Sequence, residues 1–278
     1  MKINISYFLG FVFLTFSVLQ SSASDVDTVE IHSNKMQKSL NCVIITPDSY
    51  KTNKTSYPVL YLLHGYGGNY ANWIKRVPII KEIADQHQMI VVCPDAAFGS
   101  WYFDSPIDSN FQFETYISTE VPKYIDAHYK TIQNRNGRAI AGLSMGGHGA
   151  LFLAFRHSET FGACGSMSGA LDVSLITKGY DMQKRLGDTI SNKKYYQDWS
   201  VMKVIENYPK DSLEIIIDCG TEDFIYGMSK YAHEKMMNLK IKHDYIERPG
   251  KHDWKYWYNA IQFQALFFKN FFLKARSN

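Results

Sequence analysis

The chain has 278 residues, 45% of them hydrophobic and 21% charged, with a formal net charge of +3. That much apolar material supports a packed core and argues against disorder. Charges of both signs are scattered along the chain without a basic block, which excludes the usual electrostatic footprint of a nucleic-acid-binding protein.

In chain order, the first segment is "MKINISYFLGFVFLTFSVLQSSAS", with one Lys, an apolar run over 7–19 and the small residues Ser22, Ala23 and Ser24. The run is too short for a transmembrane helix and has the length of a secretory-signal core. Residues 1–23 are therefore expected to be a signal peptide cleaved after Ala23 or Ser24. No Cys at the junction offers a lipid site, so the expected product is exported, whether secreted or periplasmic. Two strand-like runs follow, "TVEIHS" and "SLNCVIITP", then the buried strand "YPVLYLLHG". A helix is predicted over 71–88, the strand "MIVVCPDA" next, and a helix over about 111–130. "RAIAGLS" reads as a strand, followed by a helix over 146–161 and the strand "CGSMSG". Residues 171–210 are polar, Tyr- and Lys-rich and irregular, and are expected to form an inserted helical cap. "LEIIIDCG", a helix over 224–240, "HDYIERPG" and an aromatic-rich amphipathic final helix complete the series.

Strands alternating with helices predict an α/β fold with a mostly parallel sheet covered on both faces. No internal repeat or low-complexity linker interrupts residues 24–278, so one domain is expected. No later segment is apolar enough for stable membrane insertion. Cys42, Cys93, Cys164 and Cys219 lie in apolar strand-like runs without metal-ligand spacing, and buried free thiols are expected, although export leaves a single bridge open.

The segment with the strongest chemical content is "RAIAGLSMGGHGALFLAF". Gly142-x-Ser144-x-Gly146 stands between a predicted strand and a predicted helix. Such a turn strains the serine backbone, lifts the hydroxyl clear of the sheet and brings helix N-terminal N–H groups to the reaction centre. Ser144 is the candidate nucleophile. In this topology the acid and then the base follow the serine in the chain. Among the later histidines, His148 is expected to pack structurally, His157 and His233 to lie on the surface, and His243 to begin a strand. His252, in the loop of "RPGKHDWKYW", is the candidate base. Asp223 is the favoured acid, with Glu222 and Asp218 in the same "LEIIIDCGTEDF" stretch as alternatives. "LLHGYGG" lies where a second oxyanion donor is expected, so the backbone amides of Tyr66 and Met145 are the candidate donors and His64 a buttress of the loop.

The motifs "LLHGYGGNYANW", "GSWYFDSP", "AGLSMGGHGA", "DCGTEDF" and "GKHDWKYW", in this order over about 28–272, resemble the esterase D-like group of the α/β-hydrolases. That group holds tributyrin-type esterases, S-formylglutathione hydrolases, feruloyl and acetyl-xylan esterases and the antigen 85 acyltransferases. The resemblance implies an α/β-hydrolase fold, a Ser144–His252–Asp223 triad, an oxyanion hole at Tyr66 and Met145, and Trp101 and Tyr102 bordering the substrate pocket. Trp199, in the expected cap with Tyr195 and Tyr196, is a further candidate wall, since aromatic faces suit sugar rings and phenolic acids. Export argues against a cytosolic S-formylglutathione role, and removal of acetyl or feruloyl groups from plant polysaccharide is the leading expectation. Acyl transfer or short-chain ester hydrolysis on the same triad, and a non-catalytic scaffold, are the alternatives. No cofactor or metal is expected. His233-Glu234 opens like a zinc helix motif but meets Met at 237, and "GYGGNY" lacks dinucleotide-loop spacing.

Overall fold

The computed structural model describes residues 24–176, 178–208 and 212–277. The signal-peptide reading of residues 1–23 lies outside the described residues. Eight strands form one sheet in the order β1-β2-β4-β3-β5-β6-β7-β8. β1 (Asp25–Ser33) and β2 (Lys38–Thr46) make an antiparallel hairpin, and β2 joins β4 (Ile90–Pro94) in antiparallel register. β3 (Val59–Leu63), β4, β5 (Arg138–Leu143), β6 (Ala163–Met167), β7 (Glu214–Gly220) and β8 (Asp244–Arg248) run parallel.

Every residue of β3, β4, β5 and β6 is buried, as expected for parallel strands covered on both faces. Strand periodicity divides them between two cores. Ile140 joins Tyr61, Phe152 and Phe161 on one face, while Ala139 and Ala141 join Ile80, Ile261 and Phe268 on the other. α5 (Met145–Arg156) covers the first face; α2 (Ile80–His87) and α10 (Trp254–Ser277) cover the second. The four cysteines are buried free thiols. Among the described residues no helix is long and apolar enough to cross a membrane.

Three element boundaries differ from expectation. The helix predicted over 71–88 is two helices, α1 (Asn72–Arg76) and α2. Pro78 stands between them, and Val77 before it leaves the helical region at φ −130°, ψ 71°. The helix predicted over 111–130 consists of α3 (Phe113–Thr115), a π-helical turn at Tyr116–Glu120 and α4 (Val121–His128). The wide turn precedes Pro122, which has no N–H to give to an α-helical partner. α5 ends at Arg156, short of 161, because His157 is non-helical at φ −128°, ψ 51°. The segment 171–210 carries short helices α6 (Met182–Leu186), α7 (Lys193–Asp198) and α8 (Val201–Val204), with α8 packed on α5. α9 (Tyr226–Asn238) follows β7. The loops after β3, β5, β7 and β8 all leave the carboxyl edge of the sheet, where parallel α/β folds build their sites.

Candidate active site

β5 ends at Leu143 and α5 begins at Met145, so the whole reversal falls on Ser144, at φ 55° and ψ −117°. A non-glycine residue there costs on the order of 1–3 kcal/mol and needs neighbours that over-determine it. Ser144 N–H donates to the Met167 carbonyl at 3.0 Å, and the Ser144 carbonyl accepts from His148 N–H at 3.1 Å and Ala170 N–H at 3.3 Å. The flanking glycines are required by close approach. A Cβ on Gly142 would collide with the Gly146 carbonyl, and one on Gly146 would lie 2.5 Å from the His64 carbonyl oxygen.

The β8–α10 loop carries His252 back over the serine. Thr221 N–H to the Arg248 carbonyl at 2.8 Å and Glu222 N–H to the Gly250 carbonyl at 2.9 Å tie this loop to the one after β7. His252 Nδ1–H donates to Asp223 Oδ2 at 2.8 Å, and Nε2 accepts from Ser144 Oγ at 2.9 Å. The Asp223 side chain is fully buried, and its other oxygen accepts the Ile225 N–H at 2.9 Å. Burial alone would raise the Asp223 carboxyl, but the hydrogen bonds from His252 and Ile225 N–H outweigh it and hold the group below its ordinary value. It is therefore ionised at neutral pH, acts only as a hydrogen-bond acceptor, and fixes the imidazole tautomer that leaves Nε2 free to take the serine proton. The two other acids of this stretch lie elsewhere. Asp218 accepts from Tyr256 Oη and, at 2.5 Å, from Arg248, tying β7 to β8 and α10. Glu222 is exposed.

The loop after β3 runs alongside. His64 is fully buried, and its Nε2 accepts the Ala96 N–H at 2.9 Å, so the ring proton sits on Nδ1 and goes to the Gly65 carbonyl at 2.8 Å. Burial lowers its pKa and keeps it neutral in this buttressing position. Gly67 N–H reaches the Phe98 carbonyl at 2.8 Å and Gly68 N–H the Gly65 carbonyl at 3.0 Å. The amides of Tyr66 and Met145 donate to no protein acceptor among the described residues. Met145 is the first residue of α5, and Tyr66 lines the cavity that holds Ser144.

That cavity encloses about 580 Å³. Tyr180, Phe224, Trp254 and Trp257 give it aromatic faces, and Asn72, Arg76 and Asp253 give it polar groups. Trp257 and Phe224 also border the His252 ring, at 5.0 Å and 4.7 Å between centroids.

The three predicted substrate-wall residues are not among those lining this cavity. Trp101 is buried and donates from Nε1 to the Tyr180 carbonyl at 2.8 Å. Tyr102 is buried and donates from its hydroxyl to the His64 carbonyl at 2.8 Å, supporting the glycine loop from below. Both have positive φ, 58° and 63°, which turns their rings into the protein. Trp199 packs on Phe103 at 5.0 Å and Phe152 at 6.3 Å, and its carbonyl contacts His148 Nε2 at 3.1 Å. Among the described residues of the expected cap, Tyr180 is the one that borders the cavity.

The remaining histidines divide. His148 is wholly buried, its pKa pushed down to about 4 by that burial, and it stacks on Phe152, as its structural reading expects. His157 is not a free surface residue: Nε2 meets the buried Glu114 carboxylate at 2.9 Å. Nor is His233, which contacts His243 at 2.8 Å and stacks on Tyr245.

Residues 33–267 match the family described as "Putative esterase". An esterase of Mycobacterium tuberculosis is 27% identical over 75% of this chain, and the chain spans only about half, 51%, of that relative. An acetyl esterase of Caldicellulosiruptor saccharolyticus is 26% identical over 84% of this chain and 94% of its own. A solved ferulic acid esterase superposes with a TM-score of 0.78 at 30% identity, covering 90% of this chain and 98% of its own. With an eight-stranded, mostly parallel sheet, a strained serine at the end of β5 and a family match over most of its length, the chain belongs to the esterase family and has the α/β-hydrolase fold.

Proposed function

We propose that the chain is a serine carboxylic-ester hydrolase working through an acyl-enzyme. The observation that carries this reading is the continuous hydrogen-bonded line from Ser144 Oγ through His252 to the buried Asp223 carboxylate. In the reading, Ser144 Oγ attacks the ester carbonyl as His252 Nε2 takes its proton. The Tyr66 and Met145 amides receive the oxyanion, each worth about 3 kcal/mol in the transition state. Collapse breaks the bond to the alcohol oxygen, which leaves with the proton from His252. A water then gives its proton to His252 and attacks the acyl-serine, and the carboxylic acid departs as Ser144 regains its proton. Asp223 stays ionised throughout and stabilises the transient imidazolium.

For the natural substrate we infer acetyl or feruloyl esters of polysaccharide, with the chain exported after loss of residues 1–23. Support comes from the acetyl and ferulic acid esterases among its relatives and from the aromatic cavity faces. The test is Ser144→Ala beside wild type on p-nitrophenyl acetate, methyl ferulate and acetylated xylan, with products identified with and without added sugar acceptors. Loss of several orders of magnitude in turnover by a folded variant is expected. Turnover near the wild-type rate would falsify the nucleophile assignment, and acyl groups appearing on the sugar rather than in water would make the protein a transferase.

A further inference from the structure

The cavity beside Ser144 has a polar wall that this chemistry leaves unused. α1 presents Asn72 and Arg76 to it, four residues apart and so on one helix face. The Asn72 carboxamide is oriented, because its Oδ1 accepts the Asn69 N–H at 2.8 Å. Its NH2 has no protein acceptor among the described residues. Arg76 is exposed, and there its guanidinium makes neither a hydrogen bond nor an ion pair. The other arginines with described side chains differ. Arg135, Arg138, Arg156, Arg185 and Arg248 are each committed to carbonyl or carboxylate oxygens.

The acidic residue on the same cavity, Asp253, does not neutralise Arg76. Its Oδ1 caps α10, accepting the Tyr256 N–H at 2.9 Å. It also sits at the N-terminus of a 24-residue helix, whose dipole already favours a negative charge there. Among the described residues, the cavity therefore carries an unpaired planar cation and an oriented amide donor together with aromatic faces. A guanidinium fork matches a carboxylate in both charge and geometry.

We propose that Asn72 and Arg76 form a subsite for a carboxylate borne by the ester substrate, on either its acyl or its alcohol part. The proposal rests on the esterase reading and narrows it to acidic esters. Two matched pairs separate the possible positions of the charge. p-Nitrophenyl hydrogen glutarate against p-nitrophenyl valerate places it on the acyl part. 4-Acetoxybenzoate against its methyl ester, followed by acetate release, places it on the alcohol part.

In at least one pair the wild type should favour the anionic member in kcat/KM by about tenfold, mainly through KM, at low ionic strength. Raising salt to about 0.5 M should shrink that preference. Arg76→Gln should collapse the ratio within the pair, and Arg76→Lys should restore part of it. A merely structural role for Arg76 would lower both members alike and leave the ratio untouched, which overturns the proposal. A measurement free of variants is inhibition of neutral-ester hydrolysis by benzoate and glutarate against benzamide and glutaramide. Equal inhibition by acid and amide in both series, with no anionic preference in either pair, sinks the subsite. Neutral esters still turned over in that case would leave the esterase reading standing. No turnover of any ester by the wild type would bring down both.

Discussion

Asp223→Asn tests the proposed base–acid pair at a point where the structure dictates the outcome. The two carboxylate oxygens have different partners: Oδ1 accepts the Ile225 N–H at 2.9 Å and Oδ2 the His252 Nδ1–H at 2.8 Å. An asparagine has one acceptor oxygen. The backbone N–H cannot turn away, so the oxygen stays with Ile225 and the NH2 faces His252 Nδ1. An N–H facing Nδ1 requires that nitrogen to be unprotonated, which moves the ring proton to Nε2 and aims it at Ser144 Oγ. The base is then blocked in its resting state, and the charge that would stabilise the imidazolium is gone. In serine hydrolases this change costs about 10⁴ in kcat, or roughly 5.5 kcal/mol of barrier. Asp218→Asn is the control five residues earlier, inside β7. It weakens the contacts to Tyr256 and Arg248, lowering stability by about 3 kcal/mol, yet the folded fraction should keep most of its turnover. Initial rates on p-nitrophenyl acetate, normalised to folded protein by circular dichroism, separate the two effects. The reasoning is refuted if folded Asp223→Asn stays within tenfold of wild type, or if Asp218→Asn loses more turnover than Asp223→Asn does.

Four further outcomes are expected. Gly142→Ala should destabilise the fold by about 1–3 kcal/mol in urea melts, because the new methyl meets the rigid Gly146 carbonyl; an unchanged midpoint would show that the elbow yields. Trp199→Ala should cost about 2–3 kcal/mol of stability while lowering kcat/KM equally for small and large esters. Phe224→Ala, on the cavity wall, should penalise methyl ferulate more than p-nitrophenyl acetate, and the reverse pattern would return the wall role to Trp199. Burial would lower the His157 pKa, but the Glu114 carboxylate outweighs it and the group is raised in the folded state. Its stabilisation is therefore fully present below the unfolded value of about 6.5 and is lost as pH rises through the folded value, so His157→Gln should destabilise at pH 5.5 more than at pH 8.5; a pH-independent difference would disprove the ion pair's contribution.

The parts of the site readable from the sequence are those whose geometry is fixed locally. Gly142, Ser144 and Gly146 occupy five residues, and the collision of either added Cβ with a neighbouring carbonyl is decided by that turn and the strand beside it. Chain order then leaves three acids and the histidines that follow them as candidates, and the loop after the last strand selects His252 among these. The choice of Asp223 over Asp218 depends on strand phase, because Asp218 lies inside β7 and points into its contacts with β8 and α10, whereas Asp223 lies beyond the sheet edge. Pro78 carried a signal that the single helix expected over 71–88 passed over: it separates α1 from α2 and so sets the end of the helix that carries Arg76.

The walls were less legible, for a physical reason. Trp101 and Tyr102 occupy left-handed backbone positions that bulky aromatics seldom adopt, and this turns "GSWYF" inward, away from the cavity. A trace of that inversion is present in "GGHG": Gly149 is bare of a side chain because the Tyr102 ring lies against it, so the third glycine belongs to packing and not to the turn. Trp254, Trp257 and Phe224 were adjacent to the proposed base and acid all along, in "KHDWKYW" and "EDF". Residues that immediately follow a loop-borne functional group, at the start of the helix anchoring that loop, are carried to the same edge of the sheet whatever their own preference. That proximity is a better guide to a pocket wall than aromatic content in a distant insertion, and it places Trp254 and Trp257 beside His252 and sends Trp199 to the core around Phe103.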